Sequence, residues 1–238
     1  YGNTAFRMPA LNRLASASVV FDRCYDTQPV CTPARSTVMS GQWPHTTGLV
    51  ALIVLFFVLY TGAEVACGGW IYSYAVALRL SSETVAAYLT SIFWGALTVG
   101  RLLAVPIALR FPPHRILLVD CLGCLGSAML LLLGSQSLPA TILGTCGMGL
   151  SMASIFPATL SLAQGRMRIT GRVTGWFFIG ASSGGMTLPW LIGQFFESVG
   201  PRSTIVILLL DLAAATAVLA VLTLRAARPV YRWVTGED

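Results

Sequence analysis

The stretch CLGCLGSAMLLLLGSQSLPATILGTCGMGLSMASIFPATLSLAQG, residues 121–165, contains no charged side chain. A helix needs about 20 mostly apolar residues to cross the hydrocarbon core of a bilayer, so this stretch is too long for one crossing. Its most polar part, GSQSLP at 134–139, separates two predicted membrane spans. We place these spans at 116–133 and 140–164.

Four further apolar segments surround this stretch, at 51–78, 84–109, 173–196 and 205–224. Six apolar helices in succession leave little polar surface to cover a soluble globule. Of the 238 residues, 55% are hydrophobic and only 10% are charged, whereas soluble domains carry roughly 25% charged residues. The mean hydropathy is +0.75. The sequence therefore predicts an all-α membrane protein with six transmembrane helices, embedded in a lipid bilayer.

The basic residues are all arginines, and their placement predicts how the spans are oriented. Two arginines lie on one predicted side, at Arg79 and Arg202. Eight lie on the other side, after the second, fourth and sixth spans: Arg110, Arg115, Arg166, Arg168, Arg172, Arg225, Arg228 and Arg232. Arginine-rich loops are typical of the cytoplasmic side, so both termini and the tail 229–238 are predicted to be cytoplasmic. The arginines are too dispersed to form a nucleic-acid-binding patch.

Glu64 lies near the middle of the first span and is the leading candidate for a functional residue. An ionisable side chain inside a bilayer is costly unless it faces a partner or a polar cavity. Helical spacing places Tyr74 near the same face and Trp70 just beside it. Small residues at 66–69 would allow close helix packing next to the acid.

The sequence around Glu64, GAEVACGGWIYSY at 62–74, resembles the seventh transmembrane helix of major facilitator superfamily sugar transporters of the fucose permease and sodium-dependent glucose transporter type. Further similarities follow in the expected order, over residues 51 to about 228. They are GRL at 100–102, RFPPHR at 110–115, SIFPAT at 154–159 and GASSGG at 180–185.

This resemblance implies that Glu64, Trp70 and Tyr74 face a central cavity and bind a sugar. The acid would accept hydrogen bonds or couple transport, and the aromatic rings would contact the sugar ring. The alternative is that Glu64 pairs with a hydroxyl group or an arginine for structure alone. Arg101 and Asp120 lie near the predicted cytoplasmic side, where we expect a gating or structural ion pair.

The resemblance covers the second half of the superfamily fold. Complete members have two six-helix bundles with the substrate between them. We therefore expect this chain not to transport alone, unless it forms a homodimer or meets a separate N-terminal half. A bundle that serves only as a membrane interaction module, with Glu64 structural, is the remaining alternative.

Residues 1–50 differ in composition from the rest and resemble a different family. The motif Val30-Cys31-Thr32-Pro33-Ala34-Arg35 is similar to the sulfatase signature, in which the cysteine is oxidised to formylglycine. That resemblance implies Cys31 as the nucleophile, Arg35 as its stabiliser and calcium as the cofactor. Neither acid of this segment, at 22 and 26, matches a calcium ligand of the family. A calcium ion needs about six oxygen ligands.

We therefore expect no catalysis, no metal and no cofactor in the segment 1–50. Fifty residues also bury too little surface to fold independently without disulfides or metals. A sulfatase fragment, a sulfuric ester hydrolase joined to an unrelated membrane segment, remains the alternative interpretation. The sequence leaves open whether the join near residue 50 is a natural fusion or an artefact.

Overall fold

A computed structural model describes residues 48–80, 82–165 and 171–227, together with the single residue Ala17. The sulfatase-like motif with Cys31 and Arg35 and the tail 229–238 lie outside these residues. Within them the chain forms only helices: α1 (Leu49–Ala77), α2 (Glu83–Arg110), α3 (Pro113–Leu133), α4 (Leu138–Met152), α5 (Ile155–Gln164), α6 (Gly171–Ser198) and α7 (Arg202–Ala227).

Five helical segments are long and apolar enough to cross a membrane, with α4 and α5 counted together as Leu138–Gln164. They confirm five of the six predicted spans and an all-α membrane protein. The remaining predicted span, 173–196, does form a helix, α6, but α6 is not among the five. Its sequence is diluted by glycine and hydroxyl residues, most densely in GASSGG at 180–185. The predicted number of six crossings is therefore not shown by length and composition.

Helix α1 forms the centre of the bundle and packs against α2, α6 and α7. Its inward side chains include four aromatic residues that are almost wholly buried, Phe56, Phe57, Tyr60 and Tyr74. The ring of Phe57 lies 5.0 Å from that of Phe156 on α5 and 5.4 Å from that of Phe177 on α6, measured between centroids. The helix that carries Glu64 is thus held by neighbours on several sides.

Helices α1 and α6 approach each other closely because glycine lies at the contact. A Cβ atom at Gly180 would lie 2.9 Å from the Val54 carbonyl oxygen, and one at Gly184 would overlap the backbone of Val58. Gly180 and Gly184 form a small-xxx-small pattern, which lets helix backbones meet in membranes. This contact fixes which residues of α6 reach the later turns of α1.

The predicted span 140–164 is interrupted between α4 and α5. Pro157 explains the position of the break, because proline has no N–H to give and its ring clashes with the carbonyl four residues earlier, at Ala153. The Ala153 N–H bonds instead to the Leu150 oxygen, three residues back, at 3.4 Å. The Tyr60 hydroxyl donates to the Met152 carbonyl oxygen at 3.1 Å, so a side chain of α1 satisfies the interrupted backbone.

Candidate functional site

Glu64 is 9% exposed and forms an ion pair across the α1–α2 contact. The Arg101 Nη2 atom donates to Glu64 Oε1 at 3.4 Å. The two side chains differ in environment, since that of Arg101 is 54% exposed and that of Glu64 is 12% exposed. The pairing agrees with the alternative that Glu64 pairs with an arginine, and about half of the Arg101 side chain stays exposed.

Tyr60 connects this ion pair to the helix break. It lies one turn before Glu64 on α1, so the two side chains share a face of the helix. The same hydroxyl donates to the Met152 carbonyl at the end of α4. The carboxylate therefore lies beside the interruption of a membrane-spanning segment, a place where such proteins commonly bind substrates and ions.

Asp120 does not pair with Arg101, contrary to our expectation. Its Oδ2 atom accepts a hydrogen bond from the Ser154 hydroxyl at 2.6 Å, so the acid on α3 holds the residue between α4 and α5. Arg101 is drawn to Glu64 instead, whose carboxylate is more deeply buried and needs a partner more. The structure assigns Arg101 to the Glu64 site and Asp120 to the helix break.

A cavity of about 490 Å³ lies between the second half of α2, the start of α3 and α5. Its polar lining residues are Arg101, Ser154 and Ser161, so Arg101 connects the ion pair to this cavity, which Glu64 itself does not line. Its other walls are mostly apolar: Ala104, Val105, Ala108, Leu109, Phe111, Pro113, Ile116, Pro157 and Ala158. A volume of this size is typical of small-molecule sites, which place a few polar groups in an apolar wall.

Trp70 does not line this cavity. Its indole Nε1 donates to the Pro189 carbonyl oxygen on α6 at 3.2 Å, and its ring lies 5.0 Å from that of Phe196. We expected Trp70, beside the Glu64 face, to line one cavity with Glu64; instead the close α1–α6 packing brings α6 against this part of α1. Trp70 contributes to a separate cavity at the end of α6.

Tyr74 is completely buried inside the bundle. Its hydroxyl donates to the Leu131 carbonyl oxygen near the end of α3 at 3.0 Å. Since the side chain is completely buried and its one hydroxyl proton is donated to a backbone carbonyl, the structure gives Tyr74 a packing role. Glu64, Trp70 and Tyr74 therefore point to three different neighbours.

Replacing Tyr74 with phenylalanine tests this packing role. We expect Tyr74→Phe to lower the free energy of unfolding by about 1 kcal/mol, because the Leu131 carbonyl loses its donor in a buried place. Chemical unfolding in lipid nanodiscs measures the change. Tyr88→Phe is the matched control, since the Tyr88 side chain is 61% exposed. A change in ligand affinity without a loss of stability would contradict the packing role.

Sequence reasoning missed the contributions of Tyr60 and Ser154. The position of Tyr60 could have indicated its contribution, because residues four apart share a helix face and Tyr60 lies four positions before the membrane acid. Ser154 precedes Pro157 by three residues, which places it at the carbonyl region that the proline interrupts. Neither signal names the partner, which comes from another helix in each case.

Cysteine and acidic residues of the bundle do not form a metal site among the residues that the structure describes, where no group of three or more potential ligands comes together. Cys67, Cys121 and Cys124 are free and buried in the core. They behave as small apolar side chains, which is the usual role of a buried thiol.

Comparison with known proteins gives matches to two groups of relatives. The chain is 40% identical over 153 residues to the major facilitator superfamily domain-containing protein 4A of Danio rerio, covering 63% of the chain and 28% of that protein. The human protein of the same name is 36% identical over 163 residues, 68% of the chain and 31% of the relative. The sodium-dependent glucose transporter 1 of Danio rerio is 36% identical over 160 residues, 67% of the chain and 27% of the relative.

The chain contains a segment of major facilitator type. Residues 1–50 are too few to account for most of an alignment of 163 residues, so the major facilitator segment includes most of the helical part. The chain spans less than a third of the length of these relatives. No protein-family model matches it, and no solved structure gives a significant match.

Proposed function

We propose that this chain provides the second six-helix half of a sugar transporter, in which Glu64 binds the substrate with Arg101 as its partner. The ion pair inside the membrane, Glu64 with Arg101, carries this proposal. Buried ionisable residues in membrane spans are expensive, and by default they mark a pathway for substrate or ions. Arg101 also lines the cavity of about 490 Å³, which links the pair to a space large enough for a small molecule.

A neutral polar substrate fits this site better than a charged one. Glu64 is compensated by Arg101, so the pair carries no net charge but still offers a carboxylate acceptor and guanidinium donors. Sugar hydroxyl groups donate and accept hydrogen bonds and carry no charge. The name of one relative, sodium-dependent glucose transporter 1, points to the same class of substrate.

The proposal includes a sixth crossing by α6 and a cytoplasmic location of both termini. Helix α6 has 28 residues, enough to span a bilayer, and it packs tightly against α1, which crosses. Six crossings return the chain to its starting side, where the arginine-rich loops lie. A homodimer or a separate N-terminal half would supply the second bundle.

Sulfatase activity is not part of the proposal. None of the relatives reported above is named as a sulfatase. The motif residues Cys31 and Arg35 lie outside the described residues, and the segment 1–50 lacks matches to the calcium ligands. We propose that the chain is not an enzyme.

Uptake of labelled D-glucose by proteoliposomes tests the proposed transport. The purified chain is reconstituted alone, and together with the part of the Danio rerio sodium-dependent glucose transporter 1 that it does not match. We expect stereospecific uptake, D-glucose over L-glucose, only in the combined vesicles. Glu64→Gln is expected to lower that uptake at least tenfold, because hydrogen bonds to a charged group contribute about 1.5–3 kcal/mol.

Glu83→Gln is the control for this test. It removes the same charge as Glu64→Gln, but Glu83 is exposed at the start of α2. It should leave uptake unchanged. Glu64→Asp should retain part of the activity. Equal uptake of both enantiomers, or full activity in Glu64→Gln, would contradict the proposal. Stable insertion of the bundle without any uptake would favour the interaction module.

A further inference from the structure

A second cavity, of about 640 Å³, lies at the end of α6 away from the Glu64–Arg101 pair. Trp70 of α1 forms one wall, and the last turns of α6 form the other. Trp190, Gly193, Gln194 and Glu197 are spaced three, four and seven residues apart, so they lie on one face of the helix. The polar groups of this face, with Ser198 beside them, lie in the last turns of α6 and line the cavity.

The position of Trp70 separates this cavity from Glu64. Trp70 comes six positions after Glu64 on α1, which corresponds to about 9 Å along the helix axis and a rotation of about 120°. The contacts agree with that estimate, because Glu64 meets α2 and Trp70 meets α6. A ligand in the second cavity would not replace one at the ion pair.

The Trp70 ring is held rigidly before any ligand arrives. Its N–H is bound to the Pro189 carbonyl at 3.2 Å, and one edge of the ring lies against Gly193, where a Cβ atom would approach to 3.3 Å. Phe196 packs against it with ring centroids 5.0 Å apart. Trp190 also lines the cavity and is 65% exposed, so two indole side chains contribute to its wall.

The polar groups of the cavity have capacity left for a ligand. Glu197 is exposed and forms no ion pair with any residue that the structure describes. Gln194 is also exposed and offers both a donor and an acceptor. A cation would need acceptors only, whereas a sugar needs donors, acceptors and an apolar face. The combination present is the one that a sugar requires.

We propose that Trp70, Trp190, Gln194 and Glu197 form a second carbohydrate site, which binds a neutral hexose against the indole rings of its wall with its hydroxyl groups donating to Glu197. The inference rests on the proposed transport of sugars and adds a site that substrate meets at the end of the bundle. In the proposed orientation α6 ends on the side opposite to the arginine-rich loops, so the site faces the non-cytoplasmic side. A sugar that enters from that side meets this site before it reaches Glu64.

Intrinsic tryptophan fluorescence of the full chain in phosphatidylcholine nanodiscs tests this site. Glucoside and maltoside detergents must be removed, because their headgroups are sugars. Titration with D-glucose is expected to change the emission and to protect it from acrylamide quenching, whereas L-glucose has a weaker effect. Glu197→Gln should raise the apparent Kd about tenfold, and Gly193→Val should abolish the change because the new side chain fills the cavity against Trp70.

The matched controls are Glu83→Gln, an exposed acid at the start of α2, and Gly175→Ala on α6, where a Cβ atom meets nothing within 4 Å. Both should bind D-glucose like the parent chain. Glu64→Gln should retain the fluorescence response while it loses uptake, which distinguishes this site from the proposed transport function. Protection by choline instead of D-glucose would overturn the assignment to a sugar. So would an unchanged Kd in Glu197→Gln, or equal responses to both enantiomers.

Discussion

Replacing Arg101 with leucine is expected to lower the free energy of unfolding by about 3 kcal/mol, because it leaves the buried Glu64 carboxylate without a cation. The carboxylate cannot turn to water from inside the bundle, where its side chain is only 12% exposed. Glu64→Gln should cost less, about 1 kcal/mol, since the long Arg101 side chain is half exposed and can extend toward the polar headgroup region. The two halves of one ion pair thus have unequal effects.

Reversible unfolding in nanodiscs or in mixed SDS micelles measures both variants and the double variant. The combination Arg101→Leu with Glu64→Gln should regain most of the stability that Arg101→Leu loses, because no charge is then left unpaired. Arg110→Leu serves as control, since Arg110 is exposed at the end of α2. Equal losses for the two single variants, or additive losses in the double variant, would show that the pair does not compensate a buried charge.

The membrane spans could be predicted because they depend on local composition. An uncharged run of sufficient length has no stable place in water, and five of the six predicted spans coincide with helices of that type. Helix α6 shows the limit of the criterion. Its glycines lower its hydropathy but let it pack against α1, so the residues that weaken the sequence signal strengthen the contact.

The candidate site could be predicted only in part. Glu64 stands out because it is the single acid in a long apolar run. The free-energy cost of placing a carboxylate inside a bilayer is enough to make it a functional candidate. Its partner could not be read in the same way, because Arg101 is 37 positions away and the choice between Glu64 and Asp120 depends on how α1, α2 and α3 pack. For Trp70 and Tyr74, spacing gave an approximate face, but the neighbours of that face are set by other helices.

Gly184→Ala is expected to destabilise the bundle by on the order of 3 kcal/mol, although alanine favours helix formation over glycine by about 1 kcal/mol. The added Cβ atom would overlap the backbone of Val58, which cannot rotate away as a side chain would. Helices α1 and α6 would have to separate, and the Trp70 bond to Pro189 would be broken with them. The loss should therefore appear both in unfolding and as a red shift of the tryptophan emission.

The next residue provides the control for this prediction. A Cβ atom at Gly185 would meet its nearest neighbour, a methyl group of Val65, at 3.4 Å, which is an ordinary contact. Gly185→Ala should thus be neutral or slightly stabilising, because only the helix preference of alanine remains. If the two variants had the same free energy of unfolding, helix propensity would account for both. The close contact of α1 with α6 would then not be what holds α6 against Trp70. A large loss in Gly184→Ala alone requires that contact, and with it the separation of the Trp70 cavity from the Glu64–Arg101 pair.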